Sequence, residues 1–299
     1  WVVCPYRVFD QQLIDAVAAR MFGVGPGGGL VTHAAPSLAE PEVQAAIKQH
    51  LSDGWRVLVY FDAKIGGEIS LRATDKSPQM SFDVTFVELV EEESAISLGR
   101  FGILEIQTMD FHGSYKHAVD RLNMAVHLFP ASFAEEIQKH PEWAGQGIEG
   151  PNIANVVKRT FWQMFFKFSF GATDKCAGTT LAIPTSVWDS WQTFLAKPNL
   201  TSVPDGTLRL TKPGEAPLDG KIPAWIYVID ADSTSPQTPN PIVVRQVIGA
   251  TADALNHYAL VEAPIHASDA LLAPNGIYAT LTRRLRSYWP NETLLPAGG

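Results

Sequence analysis

Alternation of apolar and polar residues is clearest between positions 81 and 108. Residues 81–90 read as a strand, with Phe82, Val84 and Phe86 on one face and Asp83, Thr85 and Val87 on the other. An acidic turn, Glu91-Glu92-Glu93, separates it from a second apolar run over 101–108. That run carries Glu105 and Gln107, and the period of two puts both on one face. A carboxylate on the first strand can then converge with a carboxylate and an amide on the second. Upstream, Leu13, Ile14, Val17, Ala18 and Met21 recur at helical spacing, predicting a helix over 10–22 capped by Asp10. Ser37-Leu38-Ala39-Glu40 has capping-box form and predicts a second helix to position 52, followed by a strand over 55–61.

The later pattern predicts helices over 114–129, 151–170, 184–195 and 275–288, and strands over 179–183, 224–230 and 242–249. The 151–170 helix is unusually aromatic, with Phe161, Trp162, Phe165, Phe166 and Phe168, a stripe that belongs in a core. Helix, strand, turn, two strands, helix and strand make an α/β chain read as one domain over 1–299, with no internal repeat.

Composition changes this picture little. Of 299 residues, 46% are hydrophobic and 18% charged, ordinary for a soluble globular protein. No apolar run would span a bilayer and no secretory leader pattern is present, so a cytoplasmic protein with no membrane partner is expected. The net charge of −8 does not itself suggest a polyanion partner. Local fields matter more than the sum. Positive charge gathers at Arg283-Arg284-Leu285-Arg286 and at Lys158-Arg159 with Lys167. Two cysteines, Cys4 and Cys176, are too few for a disulfide framework, and Cys176 reads as a buried thiol.

The candidate chemistry is the set Asp83, Glu105 and Gln107, spaced D-x21-E-x-Q. Two carboxylates make an oxygen-rich site suited to Mg²⁺, which keeps several waters. Gln107 does not titrate, so its amide is expected to position a water rather than act as a base. Glu68, in GGEISL one strand earlier, is a candidate further carboxylate. Lys116, at the start of a helix, could meet a phosphate there. His112, His117 and His127 have no metal-ligand spacing and read as surface or packing residues. Asp230 and Asp232 end a strand without a partner carboxylate, and no serine sits in a nucleophile-elbow context.

The segments GILEIQTMDFHGSYKHAV, GGEISL, VVKRTFWQMFFKF and CAGTTLAIPTSVWDSW carry a resemblance to the NotI-like type II restriction endonucleases of the PD-(D/E)xK superfamily. It runs from WVVCPYR to RSYWP and thins over 201–246. The resemblance implies an αβββαβ core, a mixed sheet flanked by helices, over 36–200, with a C-terminal elaboration over 201–299. It implies Mg²⁺ at Asp83 and Glu105, Glu68 and Gln107 in the site, and Lys116 and Arg159 toward DNA. The substrate would be a palindromic, GC-rich duplex, cut by a homodimer, with a cognate DNA methyltransferase a possible partner. The family also binds iron through cysteines; Cys4 would be one ligand and the others would precede Trp1, leaving 1–35 as a remnant of that region. A catalytically silent DNA-binding homologue or structural protein and, in a different class, a glycoside hydrolase with paired carboxylates are the alternatives.

Overall fold

The computed structural model describes residues 8–25, 27–93, 95–108, 116–145, 153–237 and 240–290, with backbone alone at 116, 144–145, 153–155 and 157–159. The strands are β1 (Leu30–Ala34), β2 (Arg56–Asp62), β3 (Ile69–Leu71), β4 (Met80–Phe82), β5 (Val84–Glu92), β6 (Ala95–Ile106), β7 (Cys176–Pro184), β8 (Leu200–Ser202), β9 (Leu208–Leu210), β10 (Ala224–Ala231) and β11 (Ile242–Ala250). The helices are α1 (Gln11–Phe22), α2 (Pro41–Ser52), α3 (Lys116–Leu128), α4 (Phe133–Lys139), α5 (Glu142–Gly145), α6 (Ile153–Gly171), α7 (Thr185–Phe194), α8 (Ala252–His257), α9 (Ala263–Leu272) and α10 (Ile277–Leu285).

Nine strands form one mixed sheet in the order β1-β2-β5-β6-β7-β10-β11-β9-β8. β2, β5 and β6 run antiparallel in succession. The chain then crosses through α3–α6 and returns as β7, parallel to β6, as a helical crossover requires. β10 lies parallel to β7 and β11 antiparallel to β10, so the region after 201 extends the same sheet.

Helices cover both faces, and the pattern of cover creates the site. On one face α1 packs Leu13, Val17 and Met21 against Leu58, Phe86, Leu104 and Tyr227. On the other, α2 covers Val57 and Val59 at one end, while α6 and α7 cover Leu181 and Ile183 at the other. The register places Glu105 opposite Leu181 on that second face, in the gap between the two covers. β7 is buried at all nine positions, which explains a sequence of small and apolar residues without alternation.

Several expectations need correction. Asp10 does cap α1, its Oδ1 accepting the Gln12 N–H, and Gly23 closes the helix in the left-handed conformation at φ 71°. The capping box at Ser37 does not form. Its hydroxyl donates to the Ala34 carbonyl within a 3₁₀ turn, Ala35–Ala39, because Pro41 sets the start of α2. The strand expected over 81–90 is broken at Asp83 into β4 and β5, and β4 pairs only with β3. β1, with five half-buried residues and no alternation, escaped the pattern. α9 and α10 bury no side chain; Leu271, Leu272, Leu281 and Leu285 are exposed.

Candidate active site

The break at Asp83 follows from one hydrogen bond. The Gln107 N–H donates to the Ala182 carbonyl of β7 at 3.0 Å, so the alternate N–H, on Ile106, points toward the β4–β5 side. There Asp83 Oδ2 accepts it at 2.8 Å, a side chain taking the place of a ladder carbonyl. The strands part at that point, and a cavity of about 480 Å³ opens beside Glu68, Asp83, Glu105, Gln107, Thr160 and Lys167. A smaller one of about 170 Å³ adjoins Asp83 and is lined also by Glu68 and Asp62.

Asp83 and Glu105 line the same cavity, and the charge of Asp83 acts on the Glu105 carboxyl. Glu105 is 8% exposed, and its Oε2 receives the Lys167 ammonium at 2.6 Å. Lys167 is itself only 3% exposed and lies over the Phe82 ring, so bulk water does little to screen the pair. Glu105 Oε1 is buried with no hydrogen-bond partner. One oxygen of each carboxyl is therefore engaged by the fold, and Glu105 offers an unengaged one. Burial, and then the charge of Asp83, push the Glu105 carboxyl up to about 8, with Lys167 pulling the other way. Asp83 is raised too, chiefly by burial and further by Glu68, against the Ile106 N–H and Lys167.

Gln107 is held at both ends of its amide. Its Oε1 accepts from the Thr160 hydroxyl at 2.8 Å and its Nε2 donates to the Thr108 carbonyl at 2.9 Å. Glu68 is exposed and lines the cavity mouth. Lys116 begins α3 and Arg159 lies on α6, but their side chains are outside the described residues, as are Cys4 and His112 altogether. Cys176 is a buried thiol whose Sγ–H donates to the Gly178 carbonyl; burial pushes its pKa up.

Compared with known proteins, the chain matches no family model and no curated sequence. The chemistry of the site therefore rests on its own residues. Carboxylate oxygens, one of them buried and unsatisfied, are the hard donors that a hydrated Mg²⁺ takes. Among the described residues no group of three or more His, Cys, Asp or Glu is placed to hold a metal ion. Asp83 and Glu105 are the residues that could hold such a cation, with water completing its shell.

Lys167 is the residue of this candidate site that the pattern of strand carboxylates did not reveal. Its signal lay in the helix. Thr160, Gln163 and Lys167 are spaced three and four apart in a segment otherwise dominated by aromatic residues. Such a polar stripe on a helix packed against a sheet marks a face turned to something other than the core. All three line the cavity.

Proposed function

We propose that the protein is a Mg²⁺-dependent endonuclease of duplex DNA, with the PD-(D/E)xK architecture and with Asp83 and Glu105 at its centre. The observation that carries this reading is the convergence of those carboxyls, one from the break between β4 and β5 and one from β6, on a cavity that also receives the buried Lys167 ammonium. Antiparallel β2, β5 and β6, a helical crossover and parallel β7 have the order expected of an αβββαβ core.

Bound at Asp83 and Glu105, Mg²⁺ would supply Lewis acidity toward a phosphate oxygen and a more acidic water. The chain's own residues do the rest. The Ile106 N–H and Lys167 fix the two carboxyls, which shortens the search for a productive geometry. Lys167, itself enclosed, adds fixed positive charge beside the cavity, where it stabilises the negative charge that develops on a phosphodiester under attack. In-line attack of water on phosphorus breaks the P–O3′ bond and leaves a 5′-phosphate and a 3′-hydroxyl. One such site per chain cuts one strand, so a double-strand cut takes a two-fold pair of chains. A specific target, palindromic and GC-rich, and a cognate methyltransferase belong to the same reading.

Incubation with plasmid and Mg²⁺, with and without EDTA, tests it. Linear or nicked products that disappear with EDTA are the expected result. Tight DNA binding with no cleavage in any divalent cation would instead establish a silent DNA-binding protein.

A further inference from the structure

Two contacts tie α6 to the C-terminal end of β6, one at Glu105 within the strand and one at Gln107 just past it. Gln107 meets Thr160 at 2.8 Å and Glu105 meets Lys167 at 2.6 Å. Glu105 and Gln107 are two apart on a strand, hence on one face and about 7 Å from each other. Thr160 and Lys167 are seven apart on a helix, close to two full turns, hence also on one face. Thr160 is 4% exposed, as enclosed as Lys167. The remaining end of the Gln107 amide is spent on its own strand, at the Thr108 carbonyl.

We propose that Gln107 is a positioning residue that acts through Thr160 and not on the attacking water. The Gln107–Thr160 bond is a strut that fixes α6 against β6. With α6 so fixed, Lys167 lies on Glu105 Oε2 and leaves the buried Oε1 without a partner. This rests on the nuclease reading for its consequence in catalysis, but the strut itself is a property of the fold. It separates two jobs that a single cationic side chain at position 107 would combine. Charge comes from the helix, and the strand supplies only the alignment of that helix.

The test turns on Thr160→Val, which removes the hydroxyl and keeps the shape. In single-turnover cleavage with saturating Mg²⁺, Thr160→Val and Gln107→Ala should each slow the reaction by a similar factor, about tenfold or more. The double variant should be no slower than the worse single one, as for two halves of one contact. Thr160→Ser, which keeps the hydroxyl, should retain the parent rate. DNA affinity measured in Ca²⁺ should be unchanged in all four, which a general loosening of the site would not spare. A Thr160→Val variant that cleaves at the parent rate while Gln107→Ala is slow would overturn the proposal and return Gln107 to the water. Urea unfolding of the same four proteins reads the strut without any cleavage. The double variant should unfold at the midpoint of the less stable single one, whereas additive losses would show that no strut exists. A parent that cleaves no DNA sinks the nuclease reading alone, since the unfolding cycle still decides the strut.

Discussion

Two buried cations, Lys167 and Arg209, each meet a carboxylate, and the two pairs behave in opposite ways. Arg209 is 7% exposed and reaches Asp205 Oδ2 at 3.2 Å, close to the Lys167–Glu105 arrangement on paper. Asp205, however, stands half in water and takes the Thr207 N–H and hydroxyl as well. Those bonds, first the Thr207 hydroxyl, then its N–H and then Arg209, hold its carboxyl down at about 2. Glu105 is enclosed, keeps one oxygen without a partner and faces a second carboxyl, and it is pushed up to about 8. Arg209 and Arg20 both lie over the Trp225 ring, so that cluster is closed by packing as well as by charge. The difference lies in how each pair is completed. The pair beside the cavity has a carboxyl oxygen left without a partner, whereas the Asp205 carboxyl is satisfied by Thr207 and Arg209 and only Arg209 Nε lacks one.

The sharpest way to break this comparison is to remove each cation in turn. Lys167→Met should slow Mg²⁺-dependent cleavage by about a hundredfold or more, the scale of a lost contact to developing charge. Arg209→Met should leave the cleavage rate per folded molecule unchanged, because no residue of its cluster lines the cavity. Single-turnover kinetics at matched folded concentrations measure both. Equal losses in the two variants would mean that Lys167 is as structural as Arg209.

Stability supplies the next largest effect. At pH 8.5, where Glu105 is ionised, Lys167→Met leaves Asp83 and Glu105 facing each other without a counter-charge, and breaking a buried pair costs on the order of 3 kcal/mol. Glu105→Gln with Lys167→Met removes both charges, and that double variant should be more stable than either single one. A double-mutant cycle in urea gives the coupling directly. Purely additive losses would show that the pair is no unit.

The sequence made the strand half of this site legible and left the helix half hidden, for a physical reason. Period two along β6 places Glu105 and Gln107 on one face whatever the rest of the chain does. The break at Asp83 depends on which Ile106 N–H partner wins, a competition between side chain and ladder that no strand pattern reports. Lys167 could be placed only after α6 was docked, because its partner lies 62 residues earlier in sequence and across the crossover. Its neighbours Phe166 and Phe168 drew the helix toward the core reading, which holds for Phe168, fully buried, and not for Phe166, 43% exposed. β1 gave no signal because a strand with every residue half-buried has no alternation to read.

Dependence on pH sharpens the contrast further. Glu105 in the folded protein keeps its proton to about 8, while an ordinary glutamate, as in the unfolded chain, releases it near 4.5. Between those values the folded state binds more protons, so this group's contribution is full below about 4.5 and is lost as pH rises through about 8. The stability deficit of Lys167→Met against the parent should therefore grow from pH 5 to pH 8.5, as ionised carboxyls lose their counter-charge. A deficit independent of pH would contradict the assignment of Glu105 as the strained member.

The smallest effect comes from the structural pair, and its sign is reversed. Asp205 has its carboxyl held at about 2 against an ordinary 3.8, so its contribution is present above about 3.8 and is lost as pH falls toward 2. The group is half exposed, so solvent screening holds the gain to on the order of 0.5 kcal/mol. Asp205→Asn should lower the urea midpoint slightly at pH 7 and by only about a third as much at pH 2.5, with cleavage unaffected. The asparagine keeps an acceptor for the Thr207 N–H and hydroxyl, so what is lost is mainly the charge facing Arg209 and Arg20. Repeating the comparison in 1 M salt should shrink the pH 7 difference, since exposed charge is screened within about 3 Å there. The same salt should leave the Lys167→Met deficit nearly intact, because that pair is enclosed. If salt erased both differences alike, the two pairs would be of one kind and the contrast between them would fail.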